Sequence, residues 1–123
     1  MIDHVIFGVA DLDRSIRFYD RALAPLGVTR LFDDDGSGTR ATGYGDKRPW
    51  FWIVEDDPTS GRLHIALRAR DRASVDAFHR EAILAGGRDH GAPGLRPHYH
   101  PGYYGAFVLD PDGHNIEAVV HER

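Results

Sequence analysis

Residues 4–27, HVIFGVADLDRSIRFYDRALAPLG, return sixty residues later as residues 64–87, HIALRARDRASVDAFHREAILAGG. Without a gap, His4 falls on His64, Val5 on Ile65, Asp11 on Asp71, Phe18 on Phe78, Ala22 on Ala82 and Gly27 on Gly87. Further along, Tyr44-Gly45 falls on Tyr104-Gly105. Hydrophobic, capping and glycine positions agree in order, which argues for a duplication, and a repeat decides the architecture.

Each copy opens with a run of β-branched and apolar residues, 2–10 in the first and 62–69 in the second, which reads as a strand. A helix follows in each. Asp11 and Asp71 stand at the N-cap, where a short carboxylate accepts the free amide hydrogens of the first turn. Leu12, Ile16, Tyr19 and Leu23 mark one buried face of the first helix, and Val75, Phe78, Ala82 and Ala85 that of the second. Pro25-Leu26-Gly27 and Gly86-Gly87 end them. Three shorter strands complete the first copy, at about 28–33, 39–45 and 49–55. In the second copy, strands at about 103–109 and 114–121 are joined by the turn Asp110-Pro111-Asp112-Gly113. The strand expected near 87–92 is weak, and Gly91 to Gly102 reads as a loop. The order is βαβββ twice, an α+β pattern, in a single domain of residues 1–123 with module one about 1–57 and module two about 61–123.

Composition narrows the function. The chain is 41% hydrophobic and 28% charged, ordinary for a soluble globular domain. No apolar run is long enough for a membrane helix, and Met1-Ile2-Asp3-His4-Val5 leads straight into a strand, so no signal peptide is expected. The net charge is −4 with scattered basic residues, which argues against nucleic acid as a partner. Without cysteine there are no thiolate metal sites or disulfides, which fits a cytoplasmic location. Eight histidines in 123 residues direct attention to imidazole ligands.

Strand alternation sorts them. Val5, Phe7 and Val9 share one face of the first strand and His4 takes the other. Leu63, Ile65 and Leu67 oppose His64, and Ile116, Ala118 and Val120 oppose Glu117. Three strands thus turn an apolar series toward the helices and one ligand toward the reverse face. Two imidazoles and one carboxylate hold a divalent ion with positions left open for substrate or water. Taken singly, each of these residues is more often an ordinary satisfied or solvated side chain. The repeat, which makes His4 and His64 equivalents, joins them into one expected metal site: His4, His64 and Glu117.

The chain resembles the vicinal oxygen chelate superfamily, which includes glyoxalase I, bleomycin-resistance proteins, extradiol dioxygenases and fosfomycin-resistance enzymes. The resemblance rests on Ile2-Asp3-His4-Val5, Asp11-Leu12-Asp13-Arg14-Ser15, Phe18-Tyr19, Leu63-His64-Ile65-Ala66-Leu67 and Asp110-Pro111-Asp112-Gly113-His114-Asn115-Ile116-Glu117. It implies paired modules forming an open, cup-shaped eight-stranded mixed sheet with the helices outside, one divalent ion (Fe, Mn, Ni or Zn) in the cup, and a homodimer. It places the family's ligands on His4, His64 and Glu117. Glyoxalase I has a further glutamate on the fourth strand, where Pro49-Trp50-Phe51-Trp52-Ile53-Val54-Glu55 offers Trp52 or Ile53; Glu55 would serve only after a register shift. Dioxygenases have a tyrosine upstream of the glutamate, and here Phe107 takes its place.

The stretch Pro97-His98-Tyr99-His100-Pro101-Gly102-Tyr103-Tyr104 is the other conspicuous feature. An imidazole there could move a proton and a tyrosine hydroxyl could hold an oxyanion, with His100 and Tyr104 as the expected catalytic pair and His98 and Tyr103 as their neighbours. The same stretch also reads as a surface loop whose aromatics pack on the sheet. Trp50 and Trp52 read as core or interface aromatics, or as a substrate wall. Asp33-Asp34-Asp35 with Gly36 and Gly38 reads as a solvated hairpin turn.

Three functions fit these features. The first is a metal-dependent enzyme, lyase- or isomerase-like or dioxygenase-like, that takes a small oxygenated substrate through adjacent oxygens. The second is a metal-free protein that sequesters a drug or metabolite. The third is a fosfomycin-resistance-like transferase or hydrolase, which needs a cationic cup that the scattered arginines do not define.

Overall fold

The computed structural model describes residues 1–34 and 38–122. The first module runs β1 (Val5–Val9), α1 (Leu12–Leu23), a 3-10 turn (Ala24–Leu26), β2 (Thr29–Asp34), β3 (Ala41–Gly45) and β4 (Pro49–Glu55). The second runs β5 (His64–Arg68), α2 (Arg72–Leu84), β6 (Arg88–Leu95), β7 (Tyr103–Leu109) and β8 (Asn115–His121). The expected α+β order βαβββ is present twice. Of the Asp33-to-Gly38 turn, Asp33 and Asp34 belong to β2, whereas Asp35 and Gly36 lie outside the described residues.

The strands form two open four-stranded sheets, β1-β4-β3-β2 and β5-β8-β7-β6, each hydrogen-bonded within itself. Within each sheet the first strand pairs parallel with the last, and the other neighbours are antiparallel. The two sheets have identical topology, as a duplication requires.

β6 differs from the sequence reading. It extends to Leu95 through Gly91, Pro93 and Gly94, where a loop was expected. The strand pays out residues in two register shifts against β7, between Asp89 and Gly91 and between Gly91 and Gly94. Bulges of this kind let a strand carry glycine and proline, which obscures its pattern in sequence.

Asp11 and Asp71 cap the helices as expected, accepting from the backbone N–H of Arg14 at 3.1 Å and of Ser74 at 2.8 Å. The helices touch each other and bury their apolar faces in one core. Phe7, Phe18, Tyr19, Tyr44 and Phe51 from module one join Leu67, Phe78, Val108 and Ile116 from module two. Burial of each such side chain stabilises by about 1.5–3 kcal/mol. Ile116 and Ala118 are buried in this core, so alternation turns Glu117 to the opposite side of its sheet. No helix among the described residues is long and apolar enough to cross a membrane.

Candidate metal site

Glu117 sits opposite Ala66 in the β5–β8 ladder, and its side chain is only 1% exposed. A carboxylate taken from water needs partners to offset its desolvation. His64 Nε2 lies 2.8 Å from Oε1, and the Tyr103 hydroxyl donates to Oε2. Burial raises the Tyr103 pKa, and the hydrogen bond to Glu117 and its negative charge raise it further, so the phenol keeps the proton it donates. Gly105 makes this contact possible. A Cβ there would stand 3.1 Å from Tyr103 Cε1 and 3.2 Å from Glu117 Oε2, closer than those groups tolerate without shifting. The His64 ring, 46% exposed, leans toward Phe107 with centroids 5.9 Å apart.

An imidazole nitrogen and a carboxylate oxygen that converge beside open space suit a divalent first-row ion. His64 and Glu117 therefore fit as two of its ligands. His4 lies just before β1, 53% exposed, with Nδ1 at 2.7 Å from Asp3 Oδ1. It lines a cleft of about 420 Å³ together with Trp50 and His64. The structure thus brings His64 and Glu117 into contact and sets His4 along the same cleft as His64; among the described residues His4 belongs to no compact cluster of three ligand atoms.

A different trio is compact. Asp110, Asp112 and His114, in and after the β7–β8 turn, offer ligand atoms within 4.8 Å of one another. Their hydrogen bonds favour a structural role. Asp110 accepts from the Tyr19 hydroxyl at 2.6 Å, from the backbone N–H of Asp112 and His114, and from His114 Nδ1 at 2.8 Å. His114 Nε2 faces the Thr59 carbonyl at 2.9 Å; a carbonyl only accepts, so that nitrogen carries hydrogen and offers a metal no lone pair. Burial opposes charge on His114, but its bond to Asp110, the Asp110 charge and the Thr59 carbonyl outweigh it and raise its pKa. Asp112 accepts from Ala10 N–H and from Arg14, both in module one. The trio latches the β7–β8 turn to the first module. In the sequence it reads only as a turn.

The other expected site residues fall as follows. His100 Nε2 is 2.8 Å from His121 Nδ1, and the His100 ring packs edge-on to Tyr103 at 5.5 Å. Tyr104 is on the helix side of its sheet, donating to Asp76 of α2 with the Arg72 guanidinium over its ring, so it does not share the Glu117 face. Alternation explains this: Tyr103 and Gly105 point with Glu117, and Tyr104 points away. Its repeat counterpart Tyr44 likewise reaches α1, at Asp20. Glu55 accepts from the backbone N–H of Leu12 and serves the start of α1. Trp52, opposite Ile6, takes the position in module one that Glu117 holds in module two.

A family model, the Glyoxalase/Bleomycin resistance protein/Dioxygenase superfamily, matches residues 1–118. No curated protein matches the chain. Among solved structures, a glyoxalase/bleomycin resistance protein from Albidiferax ferrireducens T118 is 30% identical, with TM-score 0.79 and 95% of each chain covered. The fosfomycin resistance protein FosX from Mesorhizobium loti is 22% identical, with TM-score 0.67, over 96% of this chain and 89% of that one. Glyoxalase I from Zea mays is 21% identical, with TM-score 0.73, over 99% of this chain and 45% of its own. These last two share the fold.

Proposed function

Given that the chain belongs to the Glyoxalase/Bleomycin resistance protein/Dioxygenase superfamily, we propose that it is a metal-dependent enzyme acting on a small oxygenated substrate. His64 and Glu117 are two of the metal ligands and His4 is the third. The observation that carries this reading is the buried Glu117 carboxylate with an imidazole nitrogen 2.8 Å from one oxygen. A divalent ion there supplies Lewis-acid polarisation of substrate oxygens. Tyr103 holds the second carboxylate oxygen and so aims the first toward His64. The apolar cleft beside His4 and Trp50 seats the body of the substrate. His100, close to Tyr103 and His121, is the proposed proton carrier, and Tyr103 replaces Tyr104 as the phenol nearest the ligands. A homodimer is part of the proposal: Ile6 and Phe32 are half exposed on strands of the first sheet, an apolar surface that a second copy would cover.

The test is metal analysis after reconstitution with Fe, Mn, Ni or Zn, with light scattering for the oligomer. The proposal expects about one divalent ion per chain in the wild type and none in Glu117→Ala. Failure of all four metals to bind would overturn it. Turnover of methylglyoxal–glutathione adducts against catechols then separates lyase from dioxygenase chemistry.

One observation favours a second reading, a metal-free binding protein. Tyr103 and His64 already satisfy both oxygens of Glu117 without an ion. In that case the protein binds its ligand equally well after chelation.

A further inference from the structure

His64 also lines a second cleft, of about 390 Å³, which His4 does not line. Arg62, His90, Arg96, Tyr99 and Asn115 line it, and no described lining residue is acidic. That is unusual in a chain of net charge −4. Among the described residues neither Arg62 nor Arg96 forms an ion pair with a carboxylate.

Arg96 is held in place. Its Nη2 donates to the Ala92 carbonyl at 2.7 Å, and its guanidinium lies over the Phe107 ring, 5.5 Å from the centroid. The β6 bulge makes the space. A Cβ at Gly91 would stand 3.2 Å from Arg96 Nη2 and 2.8 Å from Phe107 Cδ1, and one at Gly94 would stand 3.2 Å from Nη1. Gly91 also takes φ 157°, at the edge of the range that side chains disfavour. The glycines that hide β6 in the sequence therefore accommodate a fixed guanidinium fork. A planar fork without a carboxylate partner, lining the same cleft as a second such arginine, is suited to bidentate binding of an oxyanion.

We propose that this cleft binds an oxyanion group of the ligand, a carboxylate or a phosphate-type group, between Arg62 and Arg96 beside His64. In the metal-enzyme reading, on which this placement relative to the chemistry rests, the substrate is a small organic anion. Its charged end lies in the arginine cleft and its reacting oxygens lie at His64 and Glu117.

The test uses metal-free protein and two probes, inorganic phosphate and malonate, followed by amide NMR shifts at Gly91, Arg96 and Asn115. Saturable binding is expected, weakened about tenfold or more in Arg96→Met and less in Arg96→Lys, which keeps charge but loses the fork. Arg62→Gln, at an exposed position, gives a second loss of affinity without risk to the core. Tighter phosphate binding identifies a phosphate-type group and tighter malonate binding a carboxylate. Absence of binding by both probes, or wild-type affinity in both Arg96→Met and Arg62→Gln, overturns the proposal. Metal content is measured on the same Arg96→Met sample. Normal metal with no anion binding sinks only this inference. Anion binding by a chain that takes no metal sinks only the metal reading.

Discussion

The two modules share a backbone and differ in chemistry. Ile6 opposite Trp52 in the first ladder corresponds to Ala66 opposite Glu117 in the second. At the same register one module carries an indole and the other a buried carboxylate. The turns before the last strands differ as well. Asp46 in module one is exposed and bonds its neighbour Lys47, whereas Asp110 in module two is buried and receives four hydrogen bonds. The scaffold is symmetric, and a few side chains at matched positions put the buried carboxylate and the module latch in the second half.

The sharpest way to break this asymmetry is Asp110→Ala. It leaves the Tyr19 hydroxyl, two backbone N–H groups and His114 without their acceptor in a buried site. Loss of one partner in such a network costs about 3–5 kcal/mol. Urea unfolding should show that loss, while Asp46→Ala leaves the midpoint where it was. Equal effects would mean that the two turns are equivalent after all.

At the ligand register, Glu117→Ala should abolish metal binding, a larger effect than the roughly 10–100-fold carried by outer partners. Trp52→Ala should leave metal stoichiometry unchanged. A metal content that follows Trp52 rather than Glu117 would reverse the assignment of roles.

A smaller effect separates the adjacent tyrosines. Tyr103→Phe removes the donor to Glu117 Oε2 and should weaken metal binding about tenfold. Tyr104→Phe removes only a bond to Asp76 on the helix side, so metal affinity should stay constant. Calorimetric titration of the two variants decides between them.

Much of the scaffold was legible because it obeys simple periods. The 60-residue repeat, the capping aspartates and the alternation around His4, His64 and Glu117 all rest on local patterns that tertiary contacts do not override. Of strand β6 only the first part, near 87–92, was legible and weakly so, since bulges at Gly91 and Gly94 break the two-residue period. Within the candidate site, alternation around Glu117 turns it away from the core residues Ile116 and Ala118, as the structure has it. Tyr103 and Tyr104, at the start of β7, could not be ranked without the register, because a one-residue step moves a side chain across the sheet. The latch was hidden for another reason. Its partners Tyr19, Thr59 and His114 are far apart in sequence, and nothing local in Asp-Pro-Asp-Gly marks the aspartate as buried.

The mildest difference between the modules is one of pH. His114 belongs to the second turn, and the first has no counterpart, running Asp46-Lys47-Arg48. Folding buries His114, which alone would lower its pKa, but Asp110 and the Thr59 carbonyl more than compensate and raise it. A histidine whose pKa is higher in the folded than in the unfolded state binds more protons when folded. Its contribution to stability is then complete below the unfolded value, about 6.5, and disappears as pH rises through the folded value. Urea midpoints from about pH 6 to about pH 9 should therefore fall more steeply in the wild type than in His114→Gln, whose amide still reaches the Thr59 carbonyl without titrating. The difference between the two curves isolates this residue from the other seven histidines. A difference that grows with pH would mean that His114 is neutral in the latch and that Asp110 is held by Tyr19 and the backbone alone.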